Sequence, residues 1–507
     1  MDSVWPGSGR KFSPKNQALA ITLAFVLLRL LASFCTGLGT NEAYAIASGR
    51  ALSLSYFDHP PLHFWLAHLG ELLFGDTRAA RSLFILLGAG TSWLMFLFTR
   101  RLFGDRAGVW ATLALSVSGF FGFVSASWIL PDGPLNFFLL AAALVLAPIA
   151  EEKSLSLQRW LIAGLFTGLA ALSKYHAIFF AGEIFVYMLA APERRRLLLT
   201  PGPWLAAMLA LAVFSPVLIW NGDHHWISFG FQGGRAQSRH FAPGLFLSLL
   251  LAQLALLTPW VVVPLLGGIR RGFSRSDAQS RFVLWLGFPI ALFFSLVPLW
   301  SGGGMVQWAM PGWLLLMPLA GRYLAEEIVH KTWPKRWAIG STVIFVVVAA
   351  VFCSEVQVGW LGRAFPGVFR HGDPAADYFE WRLLASRVNE RSPIDNGRDF
   401  ILTAGWREAS KIDQGLSGRY HVLVASDDPR NFAVGVHDRD FQNRGGWVIL
   451  RTNISPVLRT NILHCFLEVS APSIIVISRG RQPDAELAIW RGKRYSPARC
   501  NVQKIND

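Results

Sequence analysis

Residues 16–34, NQALAITLAFVLLRLLASF, are the first of a series of long apolar stretches that decide the fold. A helix needs about 20 mainly apolar residues to cross the hydrocarbon core of a bilayer. With 53% hydrophobic and 16% charged residues over 507 positions, the chain is too apolar for an ordinary soluble domain of this size. The sequence therefore predicts a polytopic α-helical membrane protein.

Further apolar stretches follow the first one and give a predicted total of about 11 transmembrane helices. They lie near 82–99, 107–126, 133–150, 158–173, 176–191, 203–220, 242–267, 282–299, 311–329 and 337–354. Lys174 interrupts the two adjacent stretches between 158 and 191.

Basic residues recur in alternate loops between these stretches, for example at 100–101, 194–196 and 270–271. By the positive-inside rule these loops are cytoplasmic, which places the intervening loops and the chain after residue 356 on the outer side. Much of the net charge of +15 is then topological, so it does not call for a nucleic-acid partner. A basic patch that binds anionic membrane lipids is a minor alternative.

The tail from 357 to 507 is richer in charge and contains short β-branched runs around a segment with helical spacing, 406–415. These features predict a C-terminal soluble α/β domain, 357–507, after a transmembrane domain, 1–356. The predicted strands are Phe400–Thr403, His421–Val424, Trp447–Leu450 and Ser473–Ile477.

The chain has 4 cysteines, and two of them, Cys465 and Cys500, lie in the predicted outer domain. They can pair in an oxidising compartment or remain two lone thiols, and the sequence leaves both alternatives open.

Two acidic motifs occupy the first predicted outer loop. Glu42 follows the first span, where an acid at the interface costs free energy unless it is solvated or paired; the competing interpretation is a helix start capped by Thr40 or Asn41. Asp58 and His59 precede two prolines, which hold them in an extended presentation suited to orienting an acceptor and contacting phosphate. A simple proline turn before a helix is the alternative.

Asp132 and Lys174 are predicted to face the same side as these motifs. Asp132 stands in a Pro-Asp-Gly-Pro turn, which needs no functional explanation by itself. Lys174 interrupts apolar sequence, and a membrane-embedded cation usually has an anionic partner or ligand. Snorkelling of the lysine to the interface is the competing account.

Two later outer loops add polar and aromatic groups. The loop 220–235 contains His224 and ends at Arg235, whose planar guanidinium suits bidentate phosphate binding. Its tryptophans also fit an interfacial aromatic belt. Gln307 and Trp308, in the last outer loop, offer a polar group and a stacking surface for a sugar.

These motifs together resemble the GT-C glycosyltransferases that use polyprenyl-phosphate sugars. The pattern is similar to glycosyltransferase family 39 and its bacterial relatives, which include the lipid A aminoarabinose and rhizobial galacturonic acid transferases. The resemblance spans nearly the whole chain. Its motifs are Asn41-Glu42-Ala43-Tyr44, Tyr56 to Leu62, Asp132, Ser173 to Tyr175, Trp220 to Phe229, and the C-terminal domain.

The resemblance implies an inverting sugar transfer from a polyprenyl-phosphate donor to lipid A, lipopolysaccharide core, a glycoprotein or another envelope acceptor. It also implies a multi-pass protein of the bacterial inner membrane, with the active site and the C-terminal domain facing the periplasm. The expected roles are catalysis by Glu42, Asp58 and Asp132; phosphate binding by His59, Lys174 and Arg235; and substrate binding by Asn41, Tyr44, Tyr175, His224, Gln307 and Trp308.

A divalent cation, Mg²⁺, Mn²⁺ or Ca²⁺, held by Glu42 and Asp132 is a further expectation from the resemblance. One departure concerns Asn41, because the family usually has Asp-Glu where this chain has Asn41-Glu42, and an amide cannot act as a general base. Either Glu42, Asp58 or Asp132 supplies the base, or the acceptor is already ionised, or activity has been lost.

Two other classes of function compete with the transferase. A transporter or flippase of lipid-linked molecules would carry inverted repeats and binding groups near the midplane, whereas here the polar groups are predicted on one face. A membrane scaffold with an outer binding domain would leave Lys174 and the polar loops unexplained.

Overall fold

The structure, a computed structural model, describes residues 12–500 except 236–240, 302, 370–371, 382–383, 387, 389–398 and 481. The chain forms two compact units, which we call the membrane unit and the sheet unit. The membrane unit includes the chain up to Leu31, Leu54–Leu66 and Arg81–Val348, whereas the sheet unit includes Ala32–Ser53, Ala67–Ala80 and the chain from Ala349 onward.

Helices make up most of the described chain. In chain order they are α1 (Pro14–Cys35), α2 (Thr40–Gly49), α3 (Leu62–Phe74), α4 (Arg81–Phe103), α5 (Asp105–Ser116), α6 (Ser125–Ser127), α7 (Asp132–Leu146), α8 (Leu157–Ser173), α9 (Ala177–Leu189), α10 (Pro192–Leu198), α11 (Pro201–Asp223), α12 (Ile227–Gly234), α13 (Pro243–Leu257), α14 (Pro259–Ser274), α15 (Ala278–Leu296), α16 (Pro298–Ser301), α17 (Met310–His330), α18 (Trp333–Val358), α19 (Trp360–Ala364), α20 (Trp406–Gly415) and α21 (Pro456–Leu463). A π-helical segment, Gly119–Val124, precedes α6.

Within the described residues, 6 helical stretches are long and apolar enough to cross a membrane, or up to 8 if two bent pairs each count as one span. Helices α8 and α9 are apolar but shorter. The chain is thus a multi-pass membrane protein, and helices occur at every predicted stretch. The total of about 11 spans stays a prediction.

Two stretches predicted as single spans, 107–126 and 242–267, are bent. Helix α5 meets Gly119–Ser127 at 81°, and α13 meets α14 at 100°. The second bend falls at Thr258, whose φ is 77°, and at Pro259, which has no N–H to continue the helix. The Trp260 indole N–H, at the second bend, donates to the Val117 carbonyl, at the first bend, at 2.9 Å. This carbonyl, freed by the break in the helix, thus has a hydrogen-bond donor inside the protein.

Small residues let helices of the membrane unit approach closely. Gly321 of α17 lies against α5, where an added Cβ would be 2.5 Å from the Ala107 carbonyl oxygen. Such contacts, between helices that are buried along most of their length, build the single apolar core that runs through this unit.

The sheet unit contains one mixed sheet of six described strands in the order β2-β1-β3-β6-β4, with β5 paired to β6. β1 pairs in parallel with β2 and β3, whereas β6 pairs antiparallel with its neighbours. The strands are β1 (Phe400–Thr403), β2 (Val422–Val424), β3 (Gly446–Arg451), β4 (Phe466–Val469), β5 (Ser473–Arg479) and β6 (Gln482–Tyr495).

Side chains alternate between the two faces of the sheet along each strand. Each face packs against a hydrophobic core. Ile401 and Ile449 face one core, which includes Ile412 of α20. Phe400 and Val448 face the other core. The structure also joins Cys465 and Cys500 in a disulfide, with a Cα–Cα distance of 4.6 Å. The predicted α/β domain is thus confirmed in its secondary structure.

A segment near the N-terminus completes the sheet unit. The Lys411 ammonium, on α20, donates to the backbone carbonyls of Leu38 at 2.7 Å, Phe379 at 3.3 Å and Asp377. The Tyr44 ring packs on Trp406 with centroids 5.4 Å apart. The compact unit therefore takes in residues that the predicted division into 1–356 and 357–507 assigns to the transmembrane domain.

An ion-pair group ties the same segments together. Arg50 of the sheet unit contacts Glu71 at 2.7 Å and Asp413 of α20 at 2.6 Å. Burial raises the pKa of Asp413 to about 6, and the positive charge of Arg50 opposes part of that rise.

Candidate active site

The centre of the polar region in the membrane unit is an ion pair between Asp132 and Lys174. Asp132 begins α7, and Lys174 follows the last residue of α8 in an extended conformation. The Lys174 Nζ lies 2.8 Å from the Asp132 Oδ1, and the two side chains are only 6% and 5% exposed. Lys174 therefore has the anionic partner predicted for a membrane-embedded cation, and it does not reach solvent by snorkelling.

The Asp58-His59 motif forms a second acid and imidazole pair. His59 Nδ1 lies 3.3 Å from Asp58 Oδ2, and the aspartate side chain is 2% exposed while that of the histidine is 24% exposed. The Asp58 carbonyl accepts a hydrogen bond from the Gln232 side chain. The Phe57 ring also packs on the Phe231 ring, with centroids 5.0 Å apart. The motif is thus held against α12.

Helix α12 also meets the Ser-Lys-Tyr motif. The Tyr175 and Ser228 hydroxyls are 2.6 Å apart, and the Tyr175 ring packs on Phe229 at 5.1 Å. Arg235 follows this helix, with its guanidinium 4.9 Å from the centre of the Phe231 ring. The structure therefore brings three of the predicted motifs, at 56–62, 173–175 and 220–235, to one helix of the membrane unit.

Three other predicted substrate-binding residues of the membrane unit are engaged in local packing. The His224 ring stacks on the Trp220 ring, with centroids 4.0 Å apart. The His224 Nδ1 lies 2.8 Å from the Trp220 carbonyl oxygen. Trp308 is 8% exposed and packs against Phe294. Gln307, beside it, lies in a short 3-10 helix, Val306–Ala309. Their roles toward a substrate stay predictions.

The predicted site residues of the first loop, Asn41, Glu42 and Tyr44, belong to the sheet unit. Glu42 is 1% exposed, and its Oε2 accepts the Gly39 N–H at 2.9 Å. The helix start is thus capped by Glu42 itself rather than by Thr40 or Asn41. Tyr44 accepts a hydrogen bond from the Asn431 N–H at 3.3 Å, and Asn41 is exposed.

Two further histidines of the membrane unit, His63 and His176, were not predicted as site residues. His63 is buried and His176 is half-buried, and the His59 and His63 rings are 5.6 Å apart. His63 is the second residue of α3, whereas His59 lies in the loop before that helix. Its position directly after the motif from Tyr56 to Leu62 is the sequence signal that would have found His63.

Among the described residues there is no group of three or more His, Cys, Asp or Glu side chains arranged to hold a metal ion. The two expected ligands already have other contacts, since Asp132 pairs with Lys174 and Glu42 accepts the Gly39 N–H. The divalent cation expected from the resemblance stays a prediction.

The sequence and the fold match known glycosyltransferases. The sequence model of the dolichyl-phosphate-mannose-protein mannosyltransferase family matches residues 58–220. The lipid A galacturonosyltransferase RgtD of Rhizobium johnstonii is 25% identical over 414 residues, 77% of this chain and 80% of the relative. The undecaprenyl phosphate-alpha-4-amino-4-deoxy-L-arabinose arabinosyl transferase 2 of Pseudomonas fluorescens is 28% identical over 55% of this chain, which spans about half (52%) of that relative.

The crystal structure of ArnT from Cupriavidus metallidurans bound to undecaprenyl phosphate is similar over 97% of this chain and 100% of that chain. Its TM-score is 0.65 at 15% sequence identity, a likeness of fold. The same fold match extends to ArnT in the apo state, with a TM-score of 0.60. The chain is a glycosyltransferase of the GT-C fold, related to enzymes that modify lipid A.

Proposed function

We propose that the protein transfers a sugar, with inversion, from a polyprenyl-phosphate donor to lipid A, lipopolysaccharide core or another envelope acceptor. The observation that carries this proposal is the buried Asp132–Lys174 pair, next to Tyr175, which contacts α12. The names of the relatives, a lipid A galacturonosyltransferase and an undecaprenyl-phosphate-dependent transferase, support the substrate classes.

The reaction forms a bond between an acceptor oxygen and the anomeric carbon. The bond from that carbon to the phosphate oxygen breaks, and its electron pair leaves with the polyprenyl phosphate. Lys174 would share its positive charge between Asp132 and this phosphate, because a preorganised cation in a low-dielectric site stabilises developing negative charge strongly. His59 and Arg235 are further candidates for phosphate contact.

A hydroxyl acceptor must also lose a proton. We assign this proton to Asp58, whose carboxylate lies beside the partly exposed His59 imidazole. The partly exposed His59 can then relay the proton to solvent. An acceptor phosphate, already ionised, would need no base, and Asp58 would then only orient His59.

The proposal places the protein in the bacterial inner membrane, with the polar motifs and the sheet unit on the periplasmic side. The alternate basic loops support this orientation, and the disulfide supports an oxidising compartment. Chelator titration followed by addition of Mg²⁺, Mn²⁺ or Ca²⁺ tests metal dependence.

Detergent-purified protein tests the proposal against the transporter alternative, because no membrane barrier remains for transport. The protein is incubated with polyprenyl-phosphate sugars and lipid A, and the products are identified by mass spectrometry and by the anomeric configuration of the new bond. We expect lipid A that carries the sugar with inverted anomeric configuration, together with free polyprenyl phosphate. Unchanged donors with every sugar tested would contradict the transferase.

A further inference from the structure

The sheet unit contains a polar cleft that the proposed chemistry does not use. Its volume is about 530 Å³, within the usual range for small-ligand sites. The lining residues all belong to the sheet unit, and those that matter here are Asn41, Asp377, Trp406, Arg407, Glu408 and Arg451.

Some of the charges around this cleft hold the fold together. Asp377 accepts hydrogen bonds from the Thr40 N–H, at 2.9 Å, and from the Thr40 hydroxyl. Lys411 is 4% exposed and donates to three backbone carbonyls. These two groups hold the start of α2 against the rest of the sheet unit. They therefore form the wall of the cleft and are not its recognition groups.

Two guanidinium groups of the cleft have a different arrangement. Arg407 is exposed, with its guanidinium 5.4 Å from the centre of the Trp406 ring. The Arg451 side chain is 40% exposed, and its guanidinium lies 5.5 Å from the centre of the Trp381 ring. Stacking on an indole orients a guanidinium while leaving its N–H edges available to an anion.

The same cleft offers hydrogen-bonding groups suited to hydroxyls. Glu408 lies 3.5 Å from Arg451, and its side chain is 28% exposed. Asn41, also exposed, supplies an amide with two donors and an acceptor. Paired arginines bind phosphate oxygens strongly, and a carboxylate with an amide can bind the neighbouring hydroxyl or amino groups of a sugar ring.

We propose that this cleft binds the phosphorylated sugar headgroup of the acceptor, an inference that rests on the proposed transferase function. The phosphate contacts Arg407 and Arg451, and the sugar hydroxyls contact Asn41 and Glu408.

Binding of glucosamine 6-phosphate to the full-length protein in detergent, measured by isothermal titration calorimetry, tests the inference without any donor. Arg407→Gln and Arg451→Gln should each weaken binding by about 10-fold, the effect of losing one charge-assisted hydrogen bond. Glu408→Gln should weaken binding of the sugar phosphate, because the carboxylate contacts the sugar hydroxyls, but it should not weaken binding of inorganic phosphate. Inorganic phosphate and glucosamine alone should each bind at least about 10-fold more weakly than the sugar phosphate.

Arg444→Gln is the matched control, because Arg444 is exposed and lies 5.4 Å over the Phe441 ring outside the cleft. Equal losses in the control and the cleft variants, wild-type binding in both cleft variants, or equal affinity for inorganic phosphate would overturn the inference. Donor consumption distinguishes the two proposals. If the wild-type protein releases polyprenyl phosphate but the cleft variants bind normally, this inference alone fails; if the probe binds as expected but no donor is consumed, the transferase proposal fails.

Discussion

Two buried lysines, one in each unit, have opposite kinds of partner. Lys174 in the membrane unit is 5% exposed and contacts one carboxylate, that of Asp132. Lys411 in the sheet unit is 4% exposed and donates to three backbone carbonyls. A substrate anion can share or replace a carboxylate partner, whereas backbone carbonyls inside a fold are fixed. Burial of a cation therefore does not reveal its role, but the chemistry of its partner does.

The largest expected effect on turnover is at Asp58, in the membrane unit. Asp58→Asn should reduce turnover with a hydroxyl acceptor by roughly 10²–10⁴-fold, the usual loss for a positioned proton acceptor. Glu42→Gln should cost less, because glutamine can still accept the Gly39 N–H. Steady-state rates of both variants with hydroxyl and phosphate acceptors provide the measurement. Near wild-type rates for Asp58→Asn, Glu42→Gln and Asp132→Asn with every acceptor would remove the carboxylate assignment.

The ion pair itself comes next. Lys174→Met should lower turnover by roughly 10²–10³-fold, since one preorganised charge on the developing anion is lost. It should also destabilise the membrane unit by about 3–5 kcal/mol, because Asp132 is left buried without its partner. Adding Asp132→Asn should restore much of the melting temperature without restoring turnover. Recovery of both quantities in the double variant would show that the pair is only structural.

At Lys411 we expect a loss of stability without a loss of donor-phosphate binding. Lys411→Met leaves backbone carbonyls in the sheet unit without their donor, at a cost of about 1–3 kcal/mol. Hydrogen exchange of α20 in the full-length protein measures this loss. Lys493→Met, at a lysine that is 68% exposed on β6, is the control. Equal protection in the two variants would show that the Lys411 contacts contribute nothing.

The smallest effect concerns pH. The pKa of Asp413 in the folded protein is about 6, above its ordinary value of 3.8, so folding favours the protonated acid. Its contribution to stability is therefore full below about pH 3.8 and is lost as the pH rises towards 6. Asp413→Asn should flatten the fall in melting temperature of the sheet unit over this range, by a few degrees. An unaltered pH profile would contradict the raised pKa, and Asp427→Asn, at an exposed acid of the same unit, is the control.

Local patterns in the sequence predicted much of the fold. The β-branched runs at 400–403 and 473–477 and the helical spacing at 406–415 all form the expected elements, because each pattern matches the burial of a single strand or helix face. Strand β6 was missed, since its sequence contains Pro483 and Gly492, residues that strands disfavour. The bend at Thr258 was also missed, because the run of apolar residues continues through it.

The candidate site was predicted as a list of residues, and its partners were not. Nothing local in the sequence pairs Lys174 with Asp132, 42 positions away, or Lys411 with the Leu38 carbonyl, 373 positions away. Both pairings depend on how distant segments pack. The sequence also could not separate a capping role of Glu42 from a catalytic one, because both interpretations require an acid at the start of a helix.

We infer that Lys174 binds the donor phosphate, whereas Lys411 stabilises the fold of the sheet unit. The most direct test is the affinity of full-length wild type, Lys174→Met and Lys411→Met for a polyprenyl phosphate, in detergent and without acceptor. The account predicts that Lys174→Met binds at least about 10-fold more weakly, the loss of one charge-assisted contact, while Lys411→Met, once its folding is verified, binds like the wild type. Undiminished affinity in Lys174→Met, or an equal loss in Lys411→Met, would contradict it.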